Sequence, residues 1–347
     1  MADLTILGAG IFGLSIAWEC SKSGAKVQVI DPNGVGAGAS GGLLGALAPH
    51  VPENWNSKKA FQLDSLLAAE GFWAEVEQAA GQPSSYGRTG RLQPLADAAA
   101  VSLARTREAS ARELWQGRAE WSVITELPDP AWAPPSPTGH WVHDSLTARI
   151  NPRAGLGALA TALENRGVMI AREGTPAGAI IHATGTAGLE DLNAATGQII
   201  GQGIKGQAAL LAANLPPGAP QIFADTLHIV PHADGNVAIG STTERVFDAA
   251  HTTDAQLDAL TLKARALVPA LADAPVLERW AGLRPRAKSR APLLGHHPTR
   301  AGHFVANGGF KIGIGMAPGV ARVMARLVLD GQNDIPPAFD IATQING

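Results

Sequence analysis

Three sets of residues in this 347-residue chain have the types and spacing to do chemistry. The first is Gly8-Ala9-Gly10-Ile11-Phe12-Gly13, followed by Asp31 at the end of the next apolar run. In a strand, turn and helix, the first glycine permits the tight turn, the second lets the backbone approach a pyrophosphate, and the third lets helix and strand pack closely. The helix N-terminus adds free N–H groups and the positive end of its dipole. Asp31 can accept ribose hydroxyls, so the set points to an adenine dinucleotide, and its charge disfavours the 2′-phosphate of NADP. The second set, Gly308-Gly309-Phe310-Lys311-Ile312-Gly313-Ile314, repeats this logic near the other end of the chain. Two glycine-rich helix starts can hold two ends of one long cofactor. The third is Arg284, held between an apolar stretch and Pro285 and suited to a bidentate grip on a carboxylate. Arg286, Lys288 and Arg290 read as solvated loop charges.

The elements that must position these residues begin with a βαβ unit: a buried strand over 4–7, a helix over 11–23 and a parallel strand over 25–30. From Pro32 to Gly42 the chain is rich in small residues, including Ala39, Ser40 and Gly41, so this segment has no core of its own and must lie against another part of the fold. Helical spacing recurs over 61–80, 98–115, 153–165, 254–267 and 319–330. Strand-like runs over 167–170 and 179–185 suit a parallel sheet and 303–306 reads as one more strand, while 207–211, 221–224, 227–230 and 236–239 alternate and are broken by turn residues such as Asp234-Gly235. A further strand is expected over 276–280, and the proline-rich residues 81–145 read as part of a second domain.

Hydrophobic content of 46% with 16% charge describes a well-buried globular protein, and the length suits two domains. A net charge of −3 supplies no basic footprint, so nucleic acid is not an expected partner. Cys20, the single cysteine, excludes internal disulfides and suits a reducing, cytoplasmic setting; its place on the first helix makes it a packed hydrophobe. No run approaches the roughly 18 apolar residues of a membrane span. The pair His296-His297 lacks the companion spacing of zinc motifs, so no metal is expected.

These residues, taken in order, resemble the flavin amine and amino-acid oxidases of the D-amino-acid oxidase superfamily, glycine oxidase and sarcosine oxidase in particular. The resemblance runs through Gly8 to Gly13, Asp31, Ala39-Ser40, Asn151-Pro152-Arg153, Ala183-Thr184-Gly185, Lys205-Gly206-Gln207, Gly240-Ser241-Thr242, Gly282-Leu283-Arg284-Pro285 and Gly309-Phe310-Lys311. It implies noncovalent FAD, with the adenine half at Gly8 to Asp31 and the isoalloxazine between the Ala39 to Leu44 loop and the Gly308 to Ile314 turn. It makes Arg284 the carboxylate-binding arginine and Lys311 a second cation for that carboxylate. Ser40 sits in no nucleophile elbow and reads as a phosphate or flavin contact. His50 follows the flavin-side loop and reads as a surface or supporting histidine. Ala238 falls where sarcosine oxidases carry an oxygen-activating lysine.

The expected protein is therefore α/β, with a Rossmann-like FAD-binding domain over residues 1–80, 146–202 and 283–347, and a second domain built on an antiparallel β-sheet over 81–145 and 203–282. The expected reaction oxidises the C–N bond of a small amino acid or N-alkyl glycine by hydride transfer to flavin N5, with oxygen or another acceptor. The Ala39 to Pro49 loop also resembles the flavin domain that trims carboxymethylaminomethyl-uridine in tRNA. That activity, or an electron-transferring dehydrogenase subunit, are the alternative readings.

Overall fold

The computed structural model describes residues 2–127 and 129–346; Met1, Pro128 and Gly347, which the expected domains include, lie outside it. Leu4–Leu7 is an apolar strand buried between neighbours on both sides: it pairs in parallel with Val27–Ile30, Leu7 opposite Ile30, and with Ala179–His182, Leu7 opposite His182. The sheet has six strands, in the order 293–296, 303–307, 179–182, 4–7, 27–30, 169–171, parallel apart from the outermost pair Leu293–His296 and His303–Asn307. The helices Ile11–Lys22, Ser57–Ala80, Pro152–Asn165 and Gly313–Asp330 pack on one another around this sheet, and their apolar faces share one core.

The last of these helices begins six residues before the expected start, although it contains Pro318. Proline removes one N–H from the helix ladder. Here the Ser65 hydroxyl repairs the neighbouring position, donating to Gly315 O at 2.8 Å and accepting from Gly319 N at 3.0 Å. Glycines at 315 and 319 let Ser57–Ala80 come this close, since a side chain at Gly319 would meet Phe61.

A second sheet has eight strands, in the order 276–287, 201–211, 237–240, 227–231, 221–224, 91–94, 141–144, 121–124. It is antiparallel except where Gln221–Ala224 runs beside Arg91–Pro94. The proline-rich region thus adds three strands to one end of this sheet. The strand expected over 276–280 continues to Ala287, because Gly201–Leu211 pairs along its whole length, and the expected boundary at 282/283 falls inside it. Helix Gly185–Thr196 replaces the end of the expected 179–185 strand; its Gly185 and Gly188 make it a poor match to helical apolar spacing.

Candidate active site

The two glycine-rich turns meet at the ends of the parallel strands. Gly8 has φ of +109°, and a side chain there would strike the Ala183 carbonyl; one at Gly13 would strike Gly8 O. Phe12 lies against the C-terminal turn, 3.0 Å from where a Cβ on Gly309 would stand and 4.0 Å from one on Gly313. Ile11, Phe12 and Ile312 pack into or against the same core, as does Ile314. Ala183 and Thr184 lead into the helix that starts at Gly185, and the hydroxyls of Thr184 and Thr186 are buried without a partner among the described residues.

The small-residue segment is pinned to the first turn. Gly36 N donates to Ala9 O at 3.0 Å, and Ile11 N donates to Ser40 Oγ at 3.0 Å. Ser40 thus takes a helix N-terminal N–H that the sequence offered to a phosphate. Ala39–Gly41 form a short 3₁₀ turn, and Gly41 O accepts from Arg153 Nε at 2.9 Å. Asp31 accepts from Ala9 N through Oδ2 at 2.8 Å and from Asn33 N through Oδ1 at 3.0 Å; Pro32 between them is exposed. Each Asp31 oxygen keeps a second lone pair for a ribose hydroxyl. Leu44 lies beside Gly240, and Gly45 O accepts from Ile150 N at 3.0 Å. Cradle, orphan hydroxyls and the meeting of two turns fit a bound dinucleotide. His50 is occupied elsewhere: its backbone N–H bonds Gln62 Oε1 at 2.8 Å, and its ring contacts the same oxygen.

Arg284 is buried in the strand Val276–Ala287, opposite Ile204, with its guanidinium laid over Gly206. Nη1 donates to Ser241 Oγ at 2.6 Å and Nη2 to Thr242 O at 2.5 Å, while Nε is buried without a partner among the described residues. Phe310 N donates to Pro285 O at 3.0 Å, tying the C-terminal turn to this strand. The Phe310 ring has Arg284 Cζ at 5.4 Å, Arg286 Cζ at 5.7 Å and Lys311 Nζ at 5.8 Å from its centroid. Gly308 has φ of +75° in this turn. Burial pushes the Arg284 guanidinium down to about 10, opposed by Glu244, and burial together with Arg284 pushes the Lys311 ammonium down to about 8. Two partly desolvated cations side by side make a site for an anion.

The other face of the sheet fixes the segment that holds Arg284. Lys205, opposite Leu283, is buried with Glu244 at 3.3 Å and Asp254 at 3.1 Å. Gln207 donates through Nε2 to Glu244 at 2.9 Å and Asp254 at 2.8 Å, and its N–H bonds the Thr242 hydroxyl at 2.9 Å. A neutralised, fully bonded network can sit in a buried place.

Sequence reasoning brought Arg284, Lys311 and both glycine turns to one place, and left Lys288 and Arg290 exposed outside it. Arg286 corrects the expectation of a loop charge: it lies in the Arg284 strand, beside Phe310. No individual role was read for Ser241, Arg91 or His228. Gly240-Ser241-Thr242 was legible as a motif, but nothing in the alternation of 227–231 distinguishes His228 from a solvent-facing residue. His228 stands opposite Gly240 on one side and Phe223 on the other, its ring 4.5 Å from that of Phe223. Ala238 is buried, opposite Leu210 and Val230. Among the described residues no group of three or more His, Cys, Asp or Glu could hold a metal, and no helix is long and apolar enough to cross a membrane.

The family profile described as "FAD dependent oxidoreductase" (DAO) matches residues 3–327. The bifunctional protein ThiO/ThiG of Synechocystis is 29% identical over 95% of this chain and 52% of its own length, so the chain spans about half of that relative. Glycine oxidase of Geobacillus kaustophilus is 25% identical over 98% of the chain and 95% of its own. The crystal structure of that glycine oxidase superposes with a TM-score of 0.83 at 22% identity, covering 98% of both chains. That of iminodiacetate oxidase from Chelativorans sp. BNC1 gives 0.82 at 21%, covering 96% of both. The fold is that of the glycine oxidases, and the chain belongs to the DAO family of FAD-dependent oxidoreductases.

Proposed function

We propose that this chain binds FAD noncovalently and oxidises the C–N bond of a small amino acid or N-alkyl glycine. The observation that carries the reading is the pairing of Arg284 and Lys311, two partly desolvated cations at the turn where the glycine-rich segments converge. Residues Gly8 to Gly13, Asp31, Ser40 and the Gly308 to Ile314 turn would hold the cofactor. When bound, FAD supplies an electrophilic N5 able to take a hydride.

The chain's own contribution is orientation. Arg284 and Lys311 grip the substrate carboxylate, which fixes the direction of the Cα–H bond, and such positioning replaces a costly encounter by a bound geometry. Ser241 and the Thr242 carbonyl hold two guanidinium nitrogens, so the arginine cannot swing away from the carboxylate. An amine bound without its extra proton becomes an iminium when Cα loses hydride, and water adds to it and hydrolyses it to an oxoacid and ammonia or an amine, the surplus proton passing to solvent. The test is anaerobic stopped-flow reduction of the flavin by glycine, sarcosine and small D-amino acids. Reduction by none of them refutes the reading.

A further inference from the structure

Arg284 has a buried carboxylate at its back. Thr242 joins the two: its carbonyl accepts from Arg284 Nη2 at 2.5 Å, and its hydroxyl donates to Glu244 Oε1. The other contacts of this carboxylate lead away from the arginine, for Oε1 also accepts from Gln207 Nε2 at 2.9 Å and Oε2 faces Lys205 Nζ at 3.3 Å. The backbone of Lys205 lies in the same place. Its N–H donates to Glu244 O and its carbonyl accepts from Glu244 N, each at 3.0 Å, and that carbonyl also accepts from Arg284 Nη2 at 3.4 Å. Its side chain goes the other way, because successive residues of a strand point to opposite faces: Ile204 stands opposite Arg284, and Lys205 opposite Leu283.

The ammonium and the Glu244 carboxylate are therefore a buried pair behind the guanidinium, with side chains only 3% and 6% exposed. Asp254, the second acid on Lys205, is 43% exposed, so water and salt screen its charge. Glu244 is not screened in this way. Its charge reaches Arg284, since it opposes the lowering that burial imposes on the guanidinium. Burial also pushes the Glu244 carboxyl up, but bonds from Thr242, Gln207 and Lys205 outweigh it and leave the group below its ordinary value. A bare carboxylate so close would cancel much of the positive charge that Arg284 and Lys311 offer to a substrate anion. Paired with Lys205 it is neutralised and still supplies the acceptor that holds Thr242 in place.

Resting on the proposed amino-acid oxidation, we infer that Lys205 governs carboxylate affinity without touching substrate. It neutralises Glu244, which holds Thr242 against Arg284 yet would otherwise cancel the charge that grips the substrate. Lys205 is thus a positioning residue of the anion site.

The experiment compares the FAD-loaded parent with Lys205→Met, Glu244→Gln and the double variant. Acetate binding is measured at neutral pH by perturbation of the flavin absorbance, and anaerobic flavin reduction by glycine and sarcosine is followed alongside. Lys205→Met leaves Glu244 with its Thr242 and Gln207 bonds but no counter-charge. Acetate binding is expected to weaken by about fivefold or more, with half-saturation for the amine rising in step and the saturating rate of reduction within about threefold of the parent. In the double variant the amide at position 244 keeps those bonds and carries no charge, so acetate binding is expected to return to within about twofold of the parent. A purely structural lysine predicts the reverse, a double variant no better than the single one. Parental acetate binding in Lys205→Met, or a double variant as weak as the single one, refutes the inference; if glycine or sarcosine still reduces the flavin, the amine oxidation stands. If none of these amines reduces the flavin of the parent, both readings fall. Should Lys205→Met not fold, Glu244→Gln decides: acetate is expected to bind as tightly as to the parent or more tightly, and weaker binding refutes the inference.

Discussion

The guanidinium of Arg284 occupies the space that a side chain at Gly206 would fill. The two residues lie on neighbouring strands, with Gly206 opposite Gly282 and Arg284 two residues further along, so the arginine folds back over its neighbour. The sheet therefore makes room for this guanidinium by omission. Gly206→Ala forces the guanidinium away from Ser241 and Thr242 while touching no flavin-side glycine. We expect flavin content close to that of the parent and a KM for carboxylate substrates raised about tenfold or more, consistent with loss of a charge-assisted hydrogen bond worth about 1.5–3 kcal/mol. Steady-state kinetics with flavin absorbance as a loading control checks this.

Arg284→Lys keeps the charge and loses the planar fork, and Lys311→Met removes a point charge. Each should slow flavin reduction at subsaturating substrate by about 10- to 100-fold. Reduction as fast as the parent in Arg284→Lys would move the carboxylate to Arg286, the next guanidinium beside Phe310.

Lys311 should impose a pH limb on anion binding. Its ammonium is held down to about 8, and only the protonated form attracts a carboxylate. Affinity should be full below this value and fall above it, by at most about tenfold per pH unit. The sign for folding is opposite: between about 8 and the ordinary lysine value of 10.5 the unfolded chain holds a proton that the folded site has released, so this group makes stability rise with pH. Calorimetric titration of a nonreacting carboxylate from pH 6.5 to 9.5 should show the limb in the parent and its absence in Lys311→Met.

The protein should purify yellow and release all its flavin on acid precipitation. Cys20 is buried and its thiol is pushed up to about 12, so it cannot form a thioether link to flavin. Colour retained in the precipitate would overturn the noncovalent assignment. Gly13→Ala, whose side chain would strike Gly8 O, should give colourless or insoluble protein.

Ser65→Ala should cost about 1–3 kcal/mol, because it strands Gly319 N–H and Gly315 O in a buried place. A urea unfolding midpoint indistinguishable from the parent would show that the helix heals itself without the hydroxyl.

Much of this protein was legible in its residues. The βαβ unit is written in Leu4 to Asp31 because glycine spacing, apolar runs and a terminal acid are all local properties, and the helices Ala98–Trp115 and Ser57–Ala80 follow from periodicity near 3.6. Arg284 announced itself by type and by its place before Pro285. What local pattern could not supply is pairing between distant segments. The strand through Arg284 runs to Ala287 because Gly201–Leu211 bonds it throughout, and Gly313–Asp330 starts early because Ser65, some 250 positions away, bridges its ladder beside Pro318. By itself the sequence determined an α/β protein with a dinucleotide fingerprint and singled out Arg284 as its candidate carboxylate grip. Tertiary structure alone decided that Gly206 makes room for that arginine, that Ser241 and the Thr242 carbonyl hold its guanidinium, and that Arg286 shares its strand. Burial and cross-strand register are properties of the assembled sheet, not of any one segment.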